Sequence, residues 1–229
     1  MRGAAPVSEL SSSPGRVRTD AAWDVIVAGL LAVAAGPSPL GIRMADSSLA
    51  VHMLAEHSLL LLAGALGGPA FLRLAGGVRP GRDRALAGCF AALALVGLWH
   101  VPGAFEAAVR HRSLHALMHL SYVAAGALLA VGLEAVGPFD RAVLFAGSQG
   151  AMGTLALAMA SGAVVYPPYP PGAARSAGVA MFVGMQVAMG AVVAGPQLGS
   201  LWRTRRLAPP VAAALGVAVT LSILFAGLT

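Results

Sequence analysis

The sequence contains no lysine, a single cysteine and few charges of either sign. Its fifteen basic residues are all arginine, and Asp and Glu together number nine. Charged residues make up 10% of the chain, against about a quarter in ordinary soluble domains. One cysteine, Cys89, excludes a disulfide framework and any CxxC redox or metal motif. A net charge of +6 raises nucleic acid as a partner, but the arginines are scattered between apolar runs rather than gathered into a patch. Phosphate-cradling glycine loops, nucleophile elbows and HExxH zinc motifs are also missing, so the chain is not read as an enzyme.

What is abundant is apolar. Hydrophobic residues form 58% of the 229, and the mean hydropathy is +0.79. This composition describes an integral membrane protein, whose length accommodates roughly six or seven spans of about 20 residues. Apolar stretches recur at Ala22–Leu40, Ser48–Leu72, Arg84–Gly103, Ser113–Val136, Arg141–Val165, Ser176–Ala194 and Ala208–Leu228. The expected fold is therefore all-α, a polytopic bundle of about seven transmembrane helices. Six remain possible, because "AGPSPL" interrupts the first. Residues 1–20, rich in Ser, Pro, Gly and Arg without an apolar h-region, read as a disordered cytoplasmic tail. Residues 21–229 read as one transmembrane domain in contact with the lipid bilayer.

Loop arginines orient that bundle. With the tail inside, Arg2, Arg16, Arg18, Arg73, Arg79, Arg82, Arg84, Arg141, Arg203, Arg205 and Arg206 lie on the cytoplasmic side. Arg43, Arg110, Arg112 and Arg175 lie outside, an asymmetry that obeys the positive-inside rule.

On this topology every histidine falls in the outer half. His52 and His57 belong to the second helix, His100 ends the third, and His111, His115 and His119 open the fourth. At 1.5 Å per residue, His57 lies roughly 14 Å below the outer boundary, His119 about 9 Å and His100 about 5 Å. His115 and His119 are four apart and share one helical face. Imidazole suits Zn, Cu, Fe and Ni, and a thioether from Met53 or Met118 tilts the choice towards copper. Singly, each imidazole is explained by packing; together, on one side of three helices, they read as a functional site. His52 and His57, five apart, point about 140° away from each other on a regular helix. The pairs four apart are Met53 with His57 and His52 with Glu56. The first resembles a ligand pair and the second a carboxylate that orients an imidazole, which favours the face bearing His57.

Other features read as structural. Met181, Met185 and Met189 form a stripe of the kind that usually serves packing. Tyr166 and Tyr169, in the loop "VVYPPYPPGAAR", read as interfacial anchors, as do Trp23 and Trp202. Gly64 and Gly68 are spaced for close helix contact, a spacing expected by chance in so small-residue-rich a chain.

"SPL", "HMLAEHSLLL", "LWHVPGAFEAAV", "LHALMHLSYVAAG" and "VVYPPY" occur in that order between Pro37 and Ala194. In these the chain resembles, as a divergent member, the CtaG-type cytochrome c oxidase assembly factors. The resemblance implies a multi-pass protein of a prokaryotic plasma (inner) membrane. It also implies copper delivery to a haem–copper oxidase, with His52, His57, His100, His115 and His119 at the copper site. The alternative is a b-type cytochrome or another electron-transfer or anchor subunit of a respiratory complex, its haem ligated by His57, His100 and His119. A third reading is a structural subunit whose histidines serve packing or quinone hydrogen bonding.

Overall fold

The computed structural model describes residues 14–35, 48–170 and 172–184, and every regular element among them is helical. These are α1 (Pro14–Ala35), α2 (Leu49–Leu74), α3 (Arg82–Trp99), α4 (Pro102–Arg110), α5 (Arg112–Ala135), α6 (Pro138–Ser161) and α7 (173–184). The chain is thus all-α, as its composition requires. Helix α1 begins at Pro14, inside the stretch expected to be tail. The "AGPSPL" break beyond Ala35, Arg43, Met185, Met189 and the whole of Ala208–Leu228 lie outside the described residues.

Among the described residues, α2, α5 and α6 are long and apolar enough to cross a membrane. A fourth crossing results if α3 and α4 are one broken span. The break is a departure from the expected continuous helix over Arg84–Gly103. Helix α3 stops at Trp99, and α4 leaves at 72°. Pro102 is the cause, because it pushes Val101 out of the helical region (φ −69°, ψ 125°) and then occupies the first turn of α4. His100 stands in the corner.

Local signals set the other ends. Ser48 caps α2 by accepting a hydrogen bond from the Val51 amide at 3.2 Å. Gly162 closes α6 with φ 81°, a left-handed conformation that glycine adopts without penalty.

Helix α5 is the hub, packed on α2, α3 and α4. Its seam with α2 depends on glycine. A Cβ on Gly64 would collide with the Val123 carbonyl oxygen, and one on Gly126 with that of Leu61. The two backbones therefore touch, and the side chains one and two turns above the seam are forced into one shared volume. The spacing that looked accidental in the sequence is used.

Chemistry is divided between the two ends of the bundle. At one end lie His52, His100, His115 and His119, near the start of α2, the α3–α4 corner and the start of α5. At the other, Arg73 pairs with Asp24, Arg79 with Glu134, and Arg82 with Asp140. Leu30, Phe71, Phe90, Leu120 and Leu157 are exposed around the sides, the surface expected of helices that face lipid.

Candidate metal centre

The local backbone of α2 decides where its polar residues point. From His52 to Glu56 the helix is a π-helix, and the His57 amide donates to the His52 carbonyl, five residues back. One extra residue in that turn brings positions five apart nearly over one another. The 140° separation expected for a regular helix is removed. The His52 and His57 rings meet edge to face with centroids 5.0 Å apart, and both are buried. The choice between two faces does not arise, since the bulge turns His52, Glu56 and His57 together towards α4 and α5.

Glu56 is the centre of the arrangement. It is 0% exposed, inside the histidine end of the bundle. Its Oε1 lies 2.6 Å from His119 Nε2 and 3.9 Å from His115 Nε2; its Oε2 lies 3.6 Å from His52 Nε2. The two longer distances exceed a hydrogen bond, and the 2.6 Å approach is a contact out of hydrogen-bond alignment. Neither carboxylate oxygen accepts a hydrogen bond from a described residue. A buried carboxylate without a hydrogen bond costs several kcal/mol unless a positive group stands beside it.

The spacing fits an ion. Ligands about 2.1 Å from a tetrahedral metal stand roughly 3.4 Å from one another, and the three distances bracket that value. One donor atom each from His52, Glu56 and His115 lies within 4.8 Å of the others. His119 is not one of these three but stands against them, its Nε2 2.6 Å from Glu56 Oε1, so four residues form one cluster. The set is two residues from α2 and two from α5, each pair four apart in sequence.

A second layer of rings packs against this one. His57 stacks on Tyr122 with centroids 4.1 Å apart and stands edge-on to His100 at 5.8 Å. The Nδ1–H of His100 donates to the Val96 carbonyl at 2.8 Å, leaving Nε2 as its lone-pair nitrogen. Phe105, fully buried on α4, touches His52, His57, Tyr166 and Tyr169.

The loop between α6 and α7 closes the site from above. Tyr166 is buried and donates from its hydroxyl to the His100 carbonyl at 2.7 Å. Burial pushes its pKa up to about 12, so it remains a donor at neutral pH. The Tyr169 hydroxyl is hydrogen-bonded to His52 Nδ1 at 2.9 Å. Expected as interfacial anchors, both tyrosines turn inward instead. The reason is that the α3–α4 corner offers the His100 carbonyl and the Phe105 ring, and the start of α2 offers the His52 imidazole.

Of the residues singled out in the sequence, His52, His115 and His119 converge on Glu56. His57 and His100 form the adjoining layer. Met53 and Met118 are buried in the apolar cluster with Leu49, Trp99 and Phe105. His111 is exposed at the start of α5. Glu56 was legible as a partner of His52, but its central position was not, because the π-turn has no sequence signature. Tyr122, Tyr169 and Phe105 carried no signal beyond being aromatic.

Residues 27–195 match the family described as "Protein of unknown function (DUF1404)". No curated protein and no solved structure matches the chain.

Proposed function

Since the chain belongs to the DUF1404 family, whose description assigns no activity, we propose a function from the site itself: a membrane-embedded protein that binds a divalent transition-metal ion. The ligands are Glu56, His52, His115 and His119. The observation that carries this is the fully buried Glu56 carboxylate, without a hydrogen bond among the described residues and ringed by three imidazole nitrogens. One dication converts that uncompensated charge into a bonded centre.

The ion we propose is copper, and the role a non-enzymatic assembly factor that hands it to a haem–copper respiratory oxidase in a prokaryotic plasma membrane. In support stand the resemblance in "HMLAEHSLLL" and "LHALMHLSYVAAG", and a donor set of nitrogen with one oxygen, which suits Cu(II). The separation of the arginine end from the histidine end supports a site in the outer half, where an exported partner is met. Haem is the less supported cofactor. It requires two imidazoles across a flat macrocycle, whereas His57, His100, Tyr122 and Phe105 pack directly on one another.

The test is a single preparation of the detergent-purified full chain, analysed for bound metals and visible absorbance. Copper near one equivalent, lost in His115→Ala and His119→Ala, is the expected result. Affinity ranking alone does not identify the ion, because copper outcompetes zinc at most such sites; the metal carried from the cell does. Zinc or iron in its place overturns copper delivery, a Soret band overturns the single-ion site, and absence of any metal binding overturns the proposal.

A further inference from the structure

We propose that Tyr169 is a positioning residue of the metal centre, holding the His52 ring so that Nε2 serves as a ligand; this rests on the metal reading above. The ring has two nitrogens with separate duties. Nε2 faces Glu56 Oε2 at 3.6 Å, and Nδ1 is hydrogen-bonded to the Tyr169 hydroxyl at 2.9 Å. A neutral imidazole carries one proton and one lone pair. With an ion present, the lone pair is on Nε2 and Nδ1–H donates to the phenol oxygen. Without one, Nε2–H is turned to the carboxylate and the phenol donates to Nδ1. A hydroxyl both donates and accepts, so Tyr169 keeps the ring in place in either state. Neither a phenylalanine nor a one-way donor does this.

The tyrosine is itself held. Its amide donates to the Tyr166 carbonyl at 3.0 Å across the turn that contains Pro167 and Pro168. Tyr166 is anchored on the His100 carbonyl, and Phe105 lies against both tyrosines. Prolines restrict the turn, so the Tyr169 hydroxyl is delivered from a clamped loop. Outer partners of metal-bound histidines typically change affinity by about 10–100-fold. The segment 162–170 thereby belongs to the metal centre although none of its residues is placed among the ligands.

The experiment uses the full chain in detergent with Cu(II) as the probe, comparing wild type, Tyr169→Phe and Tyr166→Phe. Affinity is read by competition titration, and bound imidazoles are counted by pulsed EPR. The expected result is about 10–100-fold weaker binding in Tyr169→Phe, with one imidazole fewer than in wild type. Tyr166→Phe, which removes the loop's anchor on the His100 carbonyl but no partner of a ligand ring, weakens binding less than Tyr169→Phe and keeps the imidazole count. If wild type takes up Cu(II) and Tyr169→Phe retains its affinity or its imidazole count, the positioning role is overturned while the metal site stands. If wild type takes up no Cu(II), the metal reading itself fails.

Discussion

At the residue scale, Glu56 is a buried carboxylate among three imidazoles. Its neutral isostere separates two roles. In Glu56→Gln, metal affinity falls by at least about 100-fold, because the carboxylate ligand is lost and no second carboxylate joins the group among the described residues. The metal-free protein should melt at the same temperature or higher, because the amide removes an uncompensated buried charge. Thermal melts with and without chelator measure both effects; a Glu56→Gln protein that unfolds when metal-free would show that the carboxylate serves packing instead. Tyr166 has the opposite character, since its hydroxyl donates to the His100 carbonyl and lies 4.0 Å from the Met159 sulfur. Tyr166→Phe should cost about 1–2 kcal/mol of stability, the usual result of leaving a buried acceptor unpaired, as read by denaturation.

At the element scale, the π-turn of α2 and the glycine seam of α2 with α5 form the site jointly. Deleting Ala55 removes the extra residue and restores a regular helix through this turn. His52 and His57 are then four apart, about 40° from one another on a regular helix, so both rings keep to one face. Circular dichroism should then show unchanged helix content and metal binding should be retained; lost binding would show that the wider π-turn itself, and not only a shared face, is required. The seam is tested by Gly64→Ala. Its new methyl meets the Val123 carbonyl, and overpacking of this kind costs about 1–3 kcal/mol. A lower melting temperature and weaker metal binding are expected together, since separating the helices also separates Glu56 from His115 and His119.

At the scale of the whole molecule, an ion bound as proposed would tie α2 to α5 and so stabilise the folded bundle. At an ion concentration 100 times Kd, the stabilisation is about 2.7 kcal/mol, and chelation removes it. Orientation is tested by single-cysteine labelling in intact cells, since the native Cys89 is buried. Val165→Cys, in the exposed loop over the histidine end, should react with an impermeant maleimide. Val78→Cys, exposed at the arginine end, should react only after permeabilisation. The reverse pattern would invert the topology and place the site on the cytoplasmic side.

Scarcity of charge and recurrence of apolar runs were enough to specify an all-α chain, and the loop arginines to separate a histidine end from an arginine end. These are one-dimensional properties, because hydrophobic length and charge position do not depend on partners. The identity of the site was legible only in part. His115 and His119 share a face by regular helical geometry, and the structure keeps them so. His52 and His57 belong on different faces by the same geometry, and only the folded chain, through one π-turn, turns both inward around Glu56. The roles of Tyr166, Tyr169 and Phe105 were likewise decided by tertiary structure, since the break at Pro102 creates the corner into which they pack. Local sequence dictates helices and their ends; which polar groups share a buried volume depends on how closely the backbones approach, and here glycines at a helix crossing set that distance.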